Sequence, residues 1–380
     1  MRSILAIKPL SKQSYNHRHT HKKGTNDMDK SKQVPNKLDQ INLGTIGSGV
    51  IVHAFLDNVS ITEGIRHTAV YSRSMETGEA LAKEYGAQRV YTDLDAFFRD
   101  EEVNTVYIAT PNLLHYEQAK KALLAGKHVI CEKPFCTKAE QARELVALAK
   151  ERGLFLVDAV PTAFLPNFEV LKRELPKIGK VKLVQANYSQ YSSRYDLLKK
   201  GEAPNIFHPA FGGGCLMDIN FYNIYLNIAL FGKPLDAVYY PNRYGSLADT
   251  SGIMVMQYDG FVSESVGAKD TWGVNFFQVE GEEGYLYVKN GSNGLAEVQV
   301  VTKTTEETFN LQEQPDRLFY EVQGITRFLL DGDRDAVFDR LSVMPDVIEV
   351  LETARKKAGI LFPGEAAADF VSEESAYADD

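Results

Sequence analysis

From Ile41 to Val157 short apolar runs alternate with stretches of helical period, and the first pair is joined by Gly47-Ser48-Gly49. This alternation constrains the fold more than any other feature, because repeated strand–helix units make a parallel, doubly wound sheet. The strands read as Ile41–Ile46, Thr68–Tyr71, Arg89–Tyr91, Val103–Ala109, Val129–Cys131 and Leu154–Val157. Helices fall between them. Ser74 is placed to cap Met75–Tyr85, which Gly86 closes, and Thr137-x-x-Glu140 reads as a capping box for the helix ending at Glu151.

After Leu165 the pattern changes. Leu165–Leu175 and Cys215–Phe231 read as helices, and Val181–Tyr188 as a strand. Between residues 235 and 309 come apolar runs at Ala237–Tyr240, Ile253–Tyr258, Val262–Val266, Phe276–Val279, Tyr285–Val288 and Val298–Val301. Asp259-Gly260 and Asn290-Gly291 are hairpin signals between them. Two helices, Asp316–Leu330 and Val343–Lys357, close the chain. The expectation is an α/β protein. It has a Rossmann-type parallel sheet over residues 41–160 and an α+β domain with a large, mainly antiparallel open sheet over residues 161–363.

A chain of 380 residues suits two such domains. The net charge of −9 is unevenly placed: residues 1–40 hold nine Lys/Arg against three Asp/Glu, leaving 33 against 48 on the rest. This acidic body argues against nucleic acid as the main partner. The basic arm has no hydrophobic period and is expected to be disordered, with Met28 a candidate start; the acidic stretch 364–380 reads as a loose tail. No apolar run approaches a membrane span, and no export signal is evident, so a cytoplasmic location is expected. Three cysteines imply neither a disulfide framework nor a zinc site, and no metal is expected.

Gly47-x-Gly49-x-x-Val52 matches a dinucleotide fingerprint except at its last, bulkier position. The first glycine permits the tight turn and the second lets the backbone approach a pyrophosphate. The N–H groups and positive end of the helix then follow, so Gly47, Ser48, Gly49, Val50 and Ile51 are the expected phosphate contacts. An acid about twenty residues on would bind the ribose diol of NAD, but none lies between His67 and Met75. Arg73 can pair with a 2′-phosphate, with Ser72 beside it. NADP is favoured and NAD remains open.

Lys133 follows the buried run Val129–Cys131, on the crevice side of such a sheet, within Glu132-Lys133-Pro134. Downstream, Asp218 and Tyr222 in Gly-Gly-Gly-x-x-x-Asp-x-x-x-Tyr stand four apart on one helix face. Oxidising a carbinol needs a base for the hydroxyl proton, and free tyrosine is poorly ionised at pH 7. An ammonium about 4 Å away would favour the phenolate by up to about 4 kcal/mol, roughly 3 pKa units. Tyr222 is therefore the expected general acid/base, assisted by Lys133, with Asp218 able to hold a second substrate hydroxyl.

The chain resembles the glucose–fructose oxidoreductase / inositol dehydrogenase / rhizopine-catabolism family. The resemblance rests on Gly44-Thr-Ile-Gly47-Ser-Gly49, Ala109-Thr110-Pro111-Asn112 with His115, Glu132-Lys133-Pro134 and Gly212 to Tyr222. It implies NAD(P)-linked redox chemistry on a sugar, polyol or cyclic diol, with Lys133 as the family's catalytic lysine, in a bond to Pro134 that similar proteins hold cis. It also implies a homodimer or homotetramer through the open sheet. Tyr222, where many members carry histidine, is similar to dihydrodiol dehydrogenase. Thr110, Pro111, Asn112, His115 and Glu132 are further expected cofactor contacts, and Tyr191, Arg194 and Asn205 expected substrate contacts. A non-catalytic dinucleotide sensor is the alternative, which an intact Lys133–Asp218–Tyr222 set disfavours.

Overall fold

The computed structural model describes residues 37–245 and 248–365. Most of the basic arm therefore lies outside the described residues, but its last four do not. Leu38 is buried and its N–H donates to Leu329 O at 3.4 Å, so the packed chain begins before Ile41. At the other end it runs past Pro363. The Glu365 carboxylate takes two hydrogen bonds from the buried Arg355 guanidinium, at 2.6 and 2.8 Å. The rest of the acidic tail lies outside the described residues.

The first sheet holds β1 (Ile41–Ile46), β2 (Ile65–Tyr71), β3 (Arg89–Tyr91), β4 (Thr105–Ile108), β5 (His128–Glu132) and β6 (Leu156–Ala159). Their order is β3-β2-β1-β4-β5-β6, all parallel. Between them run α1 (Val50–Ser60), α2 (Met75–Tyr85), α3 (Leu94–Arg99), α4 (Asn112–Leu124) and α5 (Ala139–Arg152). Ser74 caps α2, accepting from Thr77 N–H, and Gly86 ends it at φ +74°. The Thr137–Glu140 capping box does not form. The first N–H of α5, on Ala139, donates instead to Glu352 Oε2 at 2.8 Å, so a carboxylate from the far end of the chain does the capping.

The second half begins with α6 (Pro166–Glu174), β7 (Val181–Ser189), α7 (Ser193–Lys199) and α8 (Phe221–Phe231). Six strands then match the six apolar runs: β8 (Asp236–Arg243), β9 (Asp249–Tyr258), β10 (Phe261–Ala268), β11 (Phe276–Gly281), β12 (Gly284–Lys289) and β13 (Glu297–Thr302). The edge strand β14 (Glu306–Phe309) is too polar to have been read as one. The order is β14-β13-β12-β11-β7-β10-β9-β8, antiparallel except where β7 meets β10. Asp259-Gly260 joins β9 to β10 as a hairpin. Asn290-Gly291 does not make a tight one, because a short helical turn, α9 (Gly291–Gly294), intervenes.

One sheet face is covered by α6 and α8 through Val184, Phe277, Val279, Leu286 and Val300. The opposite face exposes Tyr240, Ile253, Val262 and Tyr285. The last helices are α10 (Arg317–Asp331), α11 (Arg334–Leu341) and α12 (Met344–Lys357). They turn back to the first sheet: Val322, Ile325, Leu329 and Val337 share a core with Ile41, Leu43 and Phe55. The segment after residue 160 thus contributes to both cores.

The expected helix Cys215–Phe231 is broken in pitch. Residues Leu216–Asn220 form a π-turn before α8 begins. A buried amide ladder fixes it against β10. Asn220 Nδ2 donates to Ser265 O (3.0 Å), Asn223 Nδ2 to Val266 O (2.9 Å), and Ser263 Oγ to Asn227 Oδ1 (2.7 Å). The register of Asp218 and Tyr222 over the sheet is set by these bonds.

Candidate active site

Gly47 leaves β1 at φ +120°, and a Cβ there would sit 2.5 Å from Ala109 O, so only glycine fits the turn. Gly49 caps α1 without a side chain, and among the described residues nothing lies within 4 Å of where its Cβ would be. The first turn of α1 carries no acid. An open helix N-terminus beneath a bare glycine turn fits a pyrophosphate. Val52, the departure from the fingerprint, is fully buried beneath the turn.

Ser72 and Arg73 stand at the end of β2. The Ser72 hydroxyl accepts from Ser74 N–H at 3.3 Å. Arg73 is exposed, and among the described residues it has no ion-pair partner. A solvated guanidinium with nothing to hold it suits the 2′-phosphate of NADP.

Across the crevice, a cleft of about 410 Å³ is lined by Ile51, Thr110, Asn112, His115, Glu132, Lys133, Asp218 and Tyr222, together with Tyr188, Gln190, Lys269 and Arg317. Eight of the eighteen expected site residues meet here. Asn112 Nδ2 donates to Gly212 O at 2.8 Å, tying the start of α4 to the glycine loop. Both ring nitrogens of buried His115 face carbonyls: Nδ1 lies 3.0 Å from Pro134 O and Nε2 2.7 Å from Thr110 O. Burial holds its pKa below the ordinary value although both carbonyls pull the other way. His115 thus braces the turn after β4 against the turn after β5. Glu132 accepts from Tyr107 Oη at 2.7 Å, and burial pushes its carboxyl up.

The Lys133–Pro134 peptide is cis. Lys133 Nζ donates to Asp218 O (2.7 Å) and Asp218 Oδ1 (2.9 Å). Lys269 Nζ closes on the other oxygen, Asp218 Oδ2. Both Asp218 carboxylate oxygens are therefore engaged by lysines. Burial alone would raise its carboxyl, but two ammonium groups hold it well below the ordinary carboxylate range. The same partnership keeps the Lys133 ammonium charged against its own desolvation.

Tyr222 is 4% exposed and packs edge-on against Tyr188, with centroids 5.9 Å apart. Lys133 Nζ lies over its ring, 4.8 Å from the centroid, and the Arg317 guanidinium 5.7 Å from it. Among the described residues its hydroxyl has no hydrogen-bond partner. Lys133 pulls the phenol down as expected, but not as far as working pH. Burial dominates and raises the Tyr222 pKa, while Lys133 and Arg317 oppose it without prevailing. The ammonium sits over the ring and spends its hydrogen bonds on Asp218.

The expected substrate contacts divide. Asp218 lines the cleft, but Tyr191, Arg194 and Asn205 do not. Arg194 and Asn205 line a neighbouring pocket, and Tyr191 stacks on Trp272. Lys269 and Arg317 were missed. Lys269 follows β10 as Lys133 follows β5, but the crevice argument for Lys133 belongs to parallel sheets and does not reach the mainly antiparallel second one. Arg317 begins a helix, where a cation opposes the dipole; that misfit was the signal available.

A glycine turn at the mouth of a parallel sheet, facing a lysine and a tyrosine with a free hydroxyl, defines an oxidoreductase that uses a nicotinamide dinucleotide. Comparison with known proteins agrees. Residues 41–158 match the oxidoreductase family with NAD-binding Rossmann fold, and residues 175–287 match the GFO/IDH/MocA C-terminal domain. The chain belongs to the GFO/IDH/MocA family and is an NAD(P)-dependent oxidoreductase. It is 33% identical to the scyllo-inositol 2-dehydrogenase (NADP(+)) IolU of Bacillus subtilis, over 86% of this chain and all of that protein. It is 26% identical to human trans-1,2-dihydrobenzene-1,2-diol dehydrogenase, over 84% and 97% of the two chains. A 3-ketoreductase from Actinomadura kijaniata, solved with NADP and TDP-benzene, shares the fold at 22% identity with a TM-score of 0.73, over 83% and 97%. These relatives do not favour the non-catalytic sensor. Among the described residues no helix is long and apolar enough to cross a membrane.

Proposed function

We propose that the protein interconverts a secondary hydroxyl and a carbonyl of a polyol or sugar, with NADP as its preferred cofactor and Tyr222 exchanging the proton. The observation that carries this reading is the unpartnered Tyr222 hydroxyl in a cleft that also holds the Lys133 ammonium. Gly47 to Ile51 would hold the pyrophosphate and Arg73 the 2′-phosphate. Thr110, Pro111, Asn112, His115 and Glu132 would border the nicotinamide. When bound, the nicotinamide supplies or accepts the hydride.

The residues of the chain do the rest. Tyr222, protonated at neutral pH, donates its proton to the developing alkoxide in reduction and takes it back in oxidation. Lys133 and Arg317 place positive charge where the oxyanion and phenolate form. Asp218 fixes Lys133 by two hydrogen bonds and positions it, while Lys269 balances the second carboxylate oxygen. A hydroxyl-rich substrate is supported by the kinship to inositol and diol dehydrogenases and by a polar lining. The exposed apolar residues Tyr240, Ile253, Val262 and Tyr285 on the open sheet support a homodimer or homotetramer formed through that face. Three buried free thiols suit the reducing cytoplasm.

The test is NADPH consumption or formation with a panel of inososes, inositols, sugars and cyclic diols. Turnover of a polyol or its ketone is expected. Binding of NADPH without turnover of any of them would overturn the assignment.

A further inference from the structure

Trp272 is the only tryptophan of the chain, and it is 77% exposed. One exposed aromatic ring alone calls for no partner; what sets this one apart is its stacking and its neighbours. It is held in place. Its ring stacks on Tyr191, with centroids 5.6 Å apart and planes 9° from parallel. Tyr191 is fixed in turn: its hydroxyl donates to Asp196 (2.7 Å) and accepts from Lys199 Nζ (2.8 Å), and Tyr195 packs edge-on against it. The platform is therefore held by contacts within the chain before any ligand arrives.

It stands beside the active-site cleft. Gln190 lines the cleft directly before Tyr191, and Lys269 lines it three residues before Trp272. Two backbone bonds hold these segments side by side, Gln190 N–H to Ala268 O (2.8 Å) and Ser192 N–H to Lys269 O (2.9 Å). Next to the cleft, with Ile206 as a shared wall, lies a pocket of about 450 Å³ lined by Arg194, Glu202 and Asn205. Among the described residues the side chains of these three have no hydrogen-bond partner within the chain.

We propose that this second pocket and the Trp272–Tyr191 platform form a distal carbohydrate subsite, so that the preferred substrate is a glycoside or disaccharide. The reacting ring lies at Tyr222, and the second ring stacks on the platform. The proposal rests on the reading of the cleft as a polyol or sugar site. Two observations select a sugar ring. The C–H face of a pyranose is apolar and slightly positive, so it pairs with the negative face of an aromatic ring. The rim offers a cation, a carboxylate and an amide together, which matches the mixed donors and acceptors of hydroxyl groups and not a single anion.

Trp272 is itself the probe. The protein loaded with oxidised NADP is titrated with cellobiose, maltose, lactose and sucrose, with glucose and scyllo-inositol as single-ring controls. At least one disaccharide is expected to shift or quench the Trp272 emission at concentrations where the single rings do not. Trp272→Ala is expected to lower kcat/KM for that disaccharide, relative to kcat/KM for scyllo-inositol, by about 2- to 12-fold, the worth of one aromatic stack. Emission unmoved by every disaccharide, or an unchanged ratio in Trp272→Ala, overturns the subsite. So does emission already blue-shifted and shielded from iodide in the free protein, which would mean that a second copy covers the ring. If no polyol or sugar is turned over, the redox reading fails separately, because the emission titration needs no turnover.

Discussion

Lys133 and Asp218 are joined twice, once to the carboxylate and once to the backbone carbonyl, at 2.9 and 2.7 Å. The second bond ties the ammonium to the backbone of the π-turn itself. Lys269 holds the remaining carboxylate oxygen. One anion thus serves two cations, and the consequences of losing each member differ. Lys133→Met leaves Asp218 paired with Lys269, whereas Asp218→Asn leaves two ammonium groups facing each other. Asp218→Asn is expected to lower the melting temperature more than Lys133→Met, while Lys133→Met lowers kcat by about 10²-fold or more. Thermal melts and steady-state rates on the two variants check this; a larger melting loss in Lys133→Met would show that the triad is not shared as described.

Arg73 decides the cofactor in this reading. Charge-assisted bonds to a phosphate contribute about 1.5–3 kcal/mol, which is roughly 10- to 150-fold in affinity. NADPH is expected to bind more tightly than NADH by that order, and Arg73→Ala should remove most of the difference while leaving NADH affinity nearly unchanged. Fluorescence titration of both nucleotides measures it. Equal affinities in the unmutated protein would rule the assignment out.

Asp158 on β6 is buried, and among the described residues its Oδ2 has no hydrogen-bond partner. Burial pushes its pKa up to about 7. The folded state therefore holds this proton more tightly than the unfolded chain, and stability falls as pH rises from about 4 to about 7. Asn at this position cannot ionise. Asp158→Asn should be more stable than the parent at pH 8, and the advantage should shrink by roughly 2–3 kcal/mol on going to pH 5. Denaturant melts at both pH values test this, and a difference independent of pH would mean that Asp158 ionises normally.

The first sheet was legible because each of its strands is bracketed by a helix of clear period, and the fingerprint fixes its first turn. The second sheet was legible as apolar runs, but not β14, whose Glu306 and Glu307 face solvent at an edge. The capping of α5 by Glu352 was invisible because the two residues lie 213 apart. The π-turn was invisible for a related reason. Asp249 Oδ2 takes the Leu216 N–H at 2.7 Å, and a Cβ on Gly214 would meet Asp249 Oδ1 at 2.3 Å. Helix pitch there depends on a distant carboxylate, not on local propensity. Thr110, Asn112, His115, Glu132, Lys133, Asp218 and Tyr222, all named from motifs, line one cleft. Lys269 and Arg317, which no motif includes, set its electrostatics.

Those electrostatics give the last prediction. Burial raises the Tyr222 phenol, and the cations over its ring offset only part of that cost. At neutral pH the hydroxyl is therefore protonated and ready to donate. Reduction of a carbonyl, which needs the acid, should be nearly independent of pH through the neutral range. Oxidation of the alcohol, which needs the base, should climb with pH and show no plateau below about pH 10, the value of free tyrosine. Lys133→Met and Arg317→Met each remove a cation from the phenolate and should push the oxidation limb further up; the apparent pKa belongs to the coupled group and not to Tyr222 alone. Tyr222→Phe should cost about 10²–10⁴-fold in either direction and leave NADPH affinity intact. An oxidation plateau near pH 8 in the unmutated enzyme would mean that Lys133 and Arg317 outweigh burial, and full activity in Tyr222→Phe would hand the proton to another group.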